Sequence, residues 1–352
     1  MTLEVVQWAT GNVGRAAVEA IVSHPELKLV GAWVHSKDKV GRDVGELCGL
    51  GALGVRATNE IGEVIALAPD CVLYAPLLPN QREVTQLLEA GINVVTPLNW
   101  FYPGKRDVGA LEAACAKGSS TLHGTGIHPG GITERLPLTI AAMSRAVTHV
   151  RAEEFSDIRS YGAVDVIRNI MLFGKTPEQA KMSPMLMLLT EGFSQSLEMI
   201  ADALGFALDP QIRSTHEVSV ATATIDSPIG PIDRGLVAAQ RFTWEGLVRG
   251  EPVVTARTNW FMGEEHLDPA WSFGPEGERF EVEVTGDPTI KTTFHGLHPE
   301  SIQAGLERNP GIVATAVHCV SAIPYVCGAE QGIKTYLDLP LVTGRAAGAL
   351  GG

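Results

Sequence analysis

Residues 3–14, LEVVQWATGNVG, set a short apolar run against a cluster of small residues, and RAAVEAIV then continues with helical spacing. A strand that ends in such a turn and feeds a helix has few possible uses. Backbone N–H groups at the helix start point outward, and the helix dipole favours an anion in front of them. The segment reads as a dinucleotide-binding turn, with Thr10, Gly11, Asn12, Val13, Gly14 and Arg15 around the pyrophosphate. Gly11 lets the backbone approach the phosphates, and Gly14 lets the helix pack closely on the strand. Ala9 stands where the G-x-G-x-x-G pattern has its first glycine, so the fingerprint is degenerate.

The pattern then repeats. Apolar runs at 27–34, 71–76, 93–98 and 120–126 read as buried parallel strands, and stretches 82–91 and 106–118 read as helices closed by glycine. Repeated βα units imply an α/β fold, a Rossmann-type doubly wound parallel sheet, with its ligand crevice at the carboxyl ends of the strands. The loops that matter are then 9–14, 35–42, 76–80, 97–104 and 124–131. On this reading Pro76, Thr96, Pro97 and Leu98 border the cofactor.

After about residue 130 the periodicity changes. A helix is expected over 183–204, and alternation in ERFEVEVTG (278–286) marks a half-buried antiparallel strand. Residues 256–263 read as a further strand and 310–327 as an apolar helix returning to the first domain. The expected division is a dinucleotide-binding domain over 1–130, an α+β domain over 131–308, and a return with a flexible tail over 309–352.

A formal net charge of −13 argues against nucleic acid or an anionic membrane as partner. The first strand is too polar for a secretory leader, and no charge-free run is expected to span a bilayer. Five cysteines without C-x-x-C spacing read as reduced thiols in the cytoplasm. No cluster of His, Cys and Asp has metal-ligand spacing, so no metal is expected.

NAD-specific sites place an acid at the end of the second strand, to bond the ribose hydroxyls. Here that strand runs into His35, Ser36 and Lys37. A hydroxyl and an ammonium suit a 2′-phosphate, and Arg15 can reach the same side, so NADP is expected over NAD.

ATGNVGR followed by LVGAWVHSKDKVGRDVGEL resembles the N-terminal domain of the dihydrodipicolinate reductases. GTGIHPGGITERLPL resembles the corresponding segment of the 2,4-diaminopentanoate dehydrogenases and related native amine dehydrogenases. NPGIVATAVHCVSAIPYVC and GIKTYLDLP resemble the C-terminal return of that group. The resemblance implies a Rossmann domain, a substrate domain that also mediates homodimerisation, and reversible hydride transfer at a C–N or C–O centre. It also implies a glutamate just after the fourth strand, in a stretch like T-T-C-E-E, that handles the proton when ammonia adds to a ketone. This chain reads Thr96-Pro97-Leu98-Asn99-Trp100 there, and Asn99 can orient a polar group but not act as a base.

Hydride transfer asks the protein for positioning and for a proton donor or acceptor. Tyr102, in the loop WFYPG, and His128, at the family's asparagine position in GTGIHPGG, are the candidates, with Asn99 beside them. Trp100 and Phe101 are expected to wall an apolar substrate pocket. In EEFSDIRSY, strand spacing puts Phe155, Asp157, Arg159 and Tyr161 on one face, and Asp157 and Tyr161 suit substrate binding. His318 and Tyr325 are weaker candidates. The expected activity is hydride transfer between NADP(H) and a small, mostly apolar ketone, alcohol, imine or amine. Two alternatives stand beside it: an ammonia-dependent amine dehydrogenase whose carboxylate has moved to Glu134 or Asp157, and a silent NADP-binding sensor.

Overall fold

The computed structural model describes residues 2–104 and 106–346. The chain divides into two compact units, one built from Met1–Gly131 with Ile312–Gly352 and the other from Ile132–Gly311.

In the first unit β1 (Leu3–Trp8), α1 (Asn12–Ser23), β2 (Leu27–Trp33), α2 (Val44–Cys48), β3 (Ala57–Thr58), α3 (Ile61–Ala66) and β4 (Cys71–Tyr74) follow in order. They are continued by α4 (Gln81–Glu89), β5 (Asn93–Thr96), α5 (Gly109–Gly118) and β6 (Thr121–Gly124). With β14 (Gly332–Ile333), the sheet has the order β3-β2-β1-β4-β5-β6-β14, all parallel. The order reverses between β1 and β4, and that switch point is where a doubly wound sheet opens its crevice. The expected Rossmann-type sheet is present.

Alternate side chains of β1 feed two cores. Val5 packs with Ala17, Val18, Ile21 and Leu29, while Val6 and Trp8 pack with Val72, Val84, Leu87 and Leu111. Burial on both faces explains why these strands read as unbroken apolar runs. The first core also takes Ala316, Cys319, Val320, Ile323 and Val326 from α11 (Pro310–Cys327). By length and composition the stretch Ile302–Cys327 is long and apolar enough to cross a membrane. That corrects the expectation of no such run, and the buried face of α11 is the reason for its composition. Ahead of the tail's outermost residues, which lie outside those described, Arg345 pairs with Glu26. The tail is therefore tethered at Arg345, which the sequence reading had placed in a flexible segment.

The second unit begins with a single wide turn of helix over Gly131–Arg135, then α6 (Leu136–Ala141) and β7 (Arg145–Asp157). Then come α7 (Val164–Asn169), α8 (Pro177–Lys181), α9 (Met185–Leu204), β8 (Arg213–Ala221), β9 (Val237–Val248) and β10 (Glu251–Phe261). Residues of β11 (Leu267–Asp268), β12 (Arg279–Asp287), β13 (Ile290–Phe294) and α10 (Ile302–Glu307) complete it. Its sheet, β11-β8-β9-β10-β7-β12-β13, is antiparallel except between β10 and β7. Phe193 of α9 stacks on Trp244 of β9 at 4.1 Å. Trp244, Ala256, Ala152 and Val282 lie in register on that face, so the next positions, Thr243, Arg257, Glu153 and Glu281, point the other way. There Arg151 and Arg257 both pair with Glu153, and Arg151 also reaches Glu281 and Glu283.

One contact sets the geometry of the first turn. A Cβ on Gly14 would lie 2.1 Å from the carbonyl oxygen of Ala9, so α1 can sit this close only with glycine there. Ala9 itself adopts φ 71°, the left-handed region in which glycine costs nothing. Ala9→Gly is expected to stabilise the protein by about 0.5–1 kcal/mol, the left-handed penalty less glycine's extra chain entropy. Gly14→Ala is expected to cost about 3 kcal/mol or more, because backbone must move. Urea unfolding of the two variants beside the parent measures both values.

Candidate active site

Gly11 caps the start of α1 with extended backbone (φ −75°, ψ −167°) and, as a glycine, brings no side-chain cap. A Cβ built on Gly11 would meet nothing within 4 Å. An uncapped helix start behind open space is a cradle for a phosphate group, and the residues fit a dinucleotide. Gln7 holds the turn from below: its buried amide nitrogen donates to the carbonyls of Trp8 and Ala9, each at 3.0 Å. Thr10 is buried, whereas Asn12 and Arg15 are exposed and Val13 is half-buried.

His35, Ser36 and Lys37 are all exposed on the loop after β2. The residue that turns toward the cradle is Lys39, whose Nζ donates to Thr10 Oγ1 at 3.3 Å. Burial raises the Cys48 thiol pKa, and Arg15 and Lys39 oppose that rise electrostatically, so both cations lie near Cys48. Lys39 is not among the residues that the sequence singles out. Asp43 fixes the loop by accepting from the amides of Gly45, Glu46, Leu53 and Gly54. Those bonds, Leu53's foremost, hold its carboxyl below the usual range.

At the end of β4, Pro76 is half-buried. Thr96 ends β5 fully buried, and its hydroxyl accepts from Leu98 N at 3.3 Å. Pro97, Leu98 and Asn99 are half-buried, and Asn99 Oδ1 accepts from Trp100 N at 2.7 Å. The loop lies flat on β6, where a Cβ on Gly124 would come within 2.2 Å of the Asn99 carbonyl oxygen. Trp100 and Phe101, expected to wall a pocket, are 6% and 1% exposed, and Trp100 belongs to the core with Trp8 and Leu111. Tyr102 is half-buried, as is His128.

A line of polar groups not foreseen in the sequence runs beside β6. Thr125 Oγ1 makes a short hydrogen bond with Tyr336 OH, and Tyr336 OH lies 2.6 Å from His318 Nε2. Two hydroxyls and an imidazole in series can pass a proton by turning each O–H around. His318 lies against Gly131, where a Cβ would be 3.2 Å from its ring. The signal was faint: His318 stood out only as a histidine in an apolar helix.

In the second unit the expected common face of Asp157, Arg159 and Tyr161 does not form. The strand ends at Asp157, whose side chain accepts from Arg159 N at 3.1 Å and starts a turn of 3-10 helix over Ile158–Ser160. Arg159 folds back, its Nε 2.9 and 3.0 Å from the two Asp157 oxygens. Glu134 is fully buried and accepts from Ser196 Oγ at 2.5 Å. Asp157 and Arg159 open onto a cleft of about 730 Å³ whose acids are Asp226, Glu264, Glu265 and Glu278. Burial, then repulsion from Asp157 and Glu154, pushes the Glu278 carboxyl up to about 7 against its bond from Asp157 N and the nearby Arg159. Among the described residues no group of three or more His, Cys, Asp or Glu side chains is placed to hold a metal ion.

Comparison with known proteins now adds to this geometry. Residues 132–349 match the family described as the 2,4-diaminopentanoate dehydrogenase C-terminal domain. The chain belongs to that family. Residues 5–74 match the dihydrodipicolinate reductase N-terminus. An amine dehydrogenase of Streptomyces virginiae is 32% identical, over 96% of each chain. A 2,4-diaminopentanoate dehydrogenase of Acetoanaerobium sticklandii is 24% identical, over 89% of this chain and 84% of its own. The solved amine dehydrogenase of Mycobacterium smegmatis superimposes with a TM-score of 0.77 at 21% identity, covering 98% of both chains, and so shares the fold. As a member of this family the protein is an oxidoreductase that uses a nicotinamide cofactor and a small-molecule substrate.

The acid-lined cleft belongs to the second unit. Glu278 has a folded pKa raised above its ordinary value, so its proton stabilises the fold at low pH. That stabilisation is lost as pH rises from about 4.5 through about 7. Glu278→Gln keeps an acceptor for Asp157 N without the charge. It is expected to raise the melting temperature at pH 8, with the gain fading toward pH 5, as calorimetry across that range can check.

Proposed function

We propose that the protein transfers a hydride between NADP(H) and a small, mostly apolar ketone, alcohol, imine or amine. The observation that carries the cofactor half of this reading is the open cradle at Gly11 with Lys39 bonded to Thr10. No carboxylate ends β2: His35, Ser36 and Lys37 stand there, and Lys39 and Arg15 add positive charge beside the turn. Such a surface attracts a 2′-phosphate and has no acid to reject it. Thr10 to Arg15 hold the pyrophosphate, and Pro76 with Thr96, Pro97 and Leu98 borders the nicotinamide end.

The cofactor supplies or accepts the hydride; the chain must bind, orient and move a proton. Asn99 is held by Trp100 N and offers a polar group but no base. Tyr102 or His128 exchanges the proton with the substrate heteroatom, and Trp100 and Phe101 hold that loop in place from the core. Asp157 and Tyr161 belong to the substrate side. Five free cysteines support a reducing cytoplasm, and the resemblance to the amine dehydrogenase group supports a homodimer.

Amine dehydrogenation is the second reading, favoured by the relatives' names and requiring a carboxylate in place of the missing glutamate. Asp157 is committed to Arg159, which takes it out of that role.

Lys39→Ala, Arg15→Ala and Lys37→Ala are each expected to weaken NADPH, with Lys39→Ala costing about 10-fold or more. NADH binding should change by about 2-fold or less, because the lost charges face a phosphate NADH lacks. Equal losses for both cofactors in fluorescence titrations would remove the 2′-phosphate site. The chemistry is tested by NADPH consumption over a panel of cyclic and aliphatic ketones, with and without ammonia. Turnover on the panel is expected. Dependence on ammonia selects amine chemistry, independence selects carbonyl reduction, and a silent panel speaks against the reading.

A further inference from the structure

On the face of the second sheet that receives α9, Glu154 of β7 lies opposite Thr258 of β10 and Phe280 of β12. Ser156, two residues on, lies opposite Trp260. Glu154 Oε1 accepts from Ser156 Oγ at 2.7 Å, and Oε2 accepts from Trp260 Nε1 at 3.2 Å. Ser156 Oγ in turn is 2.9 Å from His298 Nε2, and the His298 ring stacks on Phe280 at 5.0 Å. Tyr161 is near enough for the Glu154 charge to add to the rise that burial causes in its phenol.

Neutral donors are all that Glu154 has. Among the described residues it makes no ion pair, unlike Glu153 with Arg151 and Arg257, or Asp157 with Arg159. His298 cannot serve as a counter-ion at neutral pH, since burial, with help from His295, pushes its imidazole down to about 4. Burial also pushes the Glu154 carboxyl up, against the hydrogen bonds from Ser156 and Trp260. Yet Glu154 is half-buried, not sealed. A carboxylate withdrawn from water without a cation is costly unless a cation comes to it. Around this one stand an indole, a phenol and a phenyl ring, surfaces that attract ammonium ions as well.

We propose that Glu154, walled by Trp260, Tyr161 and Phe280 and steadied by Ser156, binds the ammonium group of a primary amine substrate. The inference rests on the amine side of the reading above and names the group that reading lacked. Two side-chain hydrogen bonds fix Glu154, and among the described residues no cation neutralises it. In the direction of amine oxidation it binds the ammonium and takes one proton from it, leaving the neutral amine whose carbon gives its hydride to the oxidised cofactor and becomes the iminium; in the reverse direction it favours the protonated imine over the ketone.

The test is a binding measurement on NADPH-loaded protein with cyclohexylamine, protonated at pH 7.5, and cyclohexanol as its neutral isostere. Wild type is expected to bind the ammonium about 10-fold more tightly or better, as charge-assisted pairing implies. Glu154→Gln removes the charge, its amide oxygen accepting from Trp260 Nε1 and its amide nitrogen turning to donate to Ser156 Oγ, and should abolish the preference with NADPH affinity unchanged. Glu154→Asp keeps the charge at a shorter reach and should retain part of it. No preference in wild type, or an undiminished one in Glu154→Gln, overturns the proposal. Should Glu154→Gln fail to fold, an undiminished preference in Glu154→Asp does the same. Ketone turnover without any amine preference sinks this inference and leaves the oxidoreductase reading standing. The preference without turnover does the reverse.

Discussion

The contact between Gly14 and the carbonyl of Ala9 governs the first unit. It lets α1 start directly at the end of β1, with open space in front of Gly11. Because that helix start lies beside the point where the strand order reverses, phosphate binding and sheet topology are one constraint. Gln7 supports it from within the strand, a buried amide spent on holding two turn carbonyls. Ala9 shows that the turn is stable enough to hold a residue with a Cβ in the left-handed region.

The second unit is organised by where its charges can be satisfied. One face of its sheet carries arginines and glutamates in register, each acid meeting a guanidinium across the strands. The other face takes α9 and is aromatic, with Phe193 on Trp244 and Phe242 beside Trp260. Glu153 and Glu154 are neighbours in sequence, and the pleat sends them to opposite faces with opposite electrostatic fates. Glu153 gains two arginines. Glu154 gains a hydroxyl and an indole.

Much of this was open to a reader of the sequence. Periodicity gave the parallel sheet, the helices at 81–89 and 109–118, the long helix at 185–204 and the alternating strand at 279–287. What misled was any argument that carried a period past the end of its element. Asp157, Arg159 and Tyr161 share a face only if the strand continues, and it stops because Asp157 prefers to bond the Arg159 amide. Lys39 carries no local signal either, because only the turn of the loop points it at Thr10.

The sequence by itself determined the βα repeat, the phosphate turn and the absence of an acid after β2, because these depend on neighbours within a few residues. It also determined that Asn99 stands where relatives of this kind were expected to hold a glutamate. Tertiary structure alone decided which polar groups meet: Thr125 with Tyr336 and His318, Glu134 with Ser196, and Glu154 with Ser156, Trp260 and His298. The separations in the chain run to more than 200 residues, as between Thr125 and Tyr336. No local pattern encodes such pairs, since they follow from which strands lie side by side and which side chains the pleat turns inward.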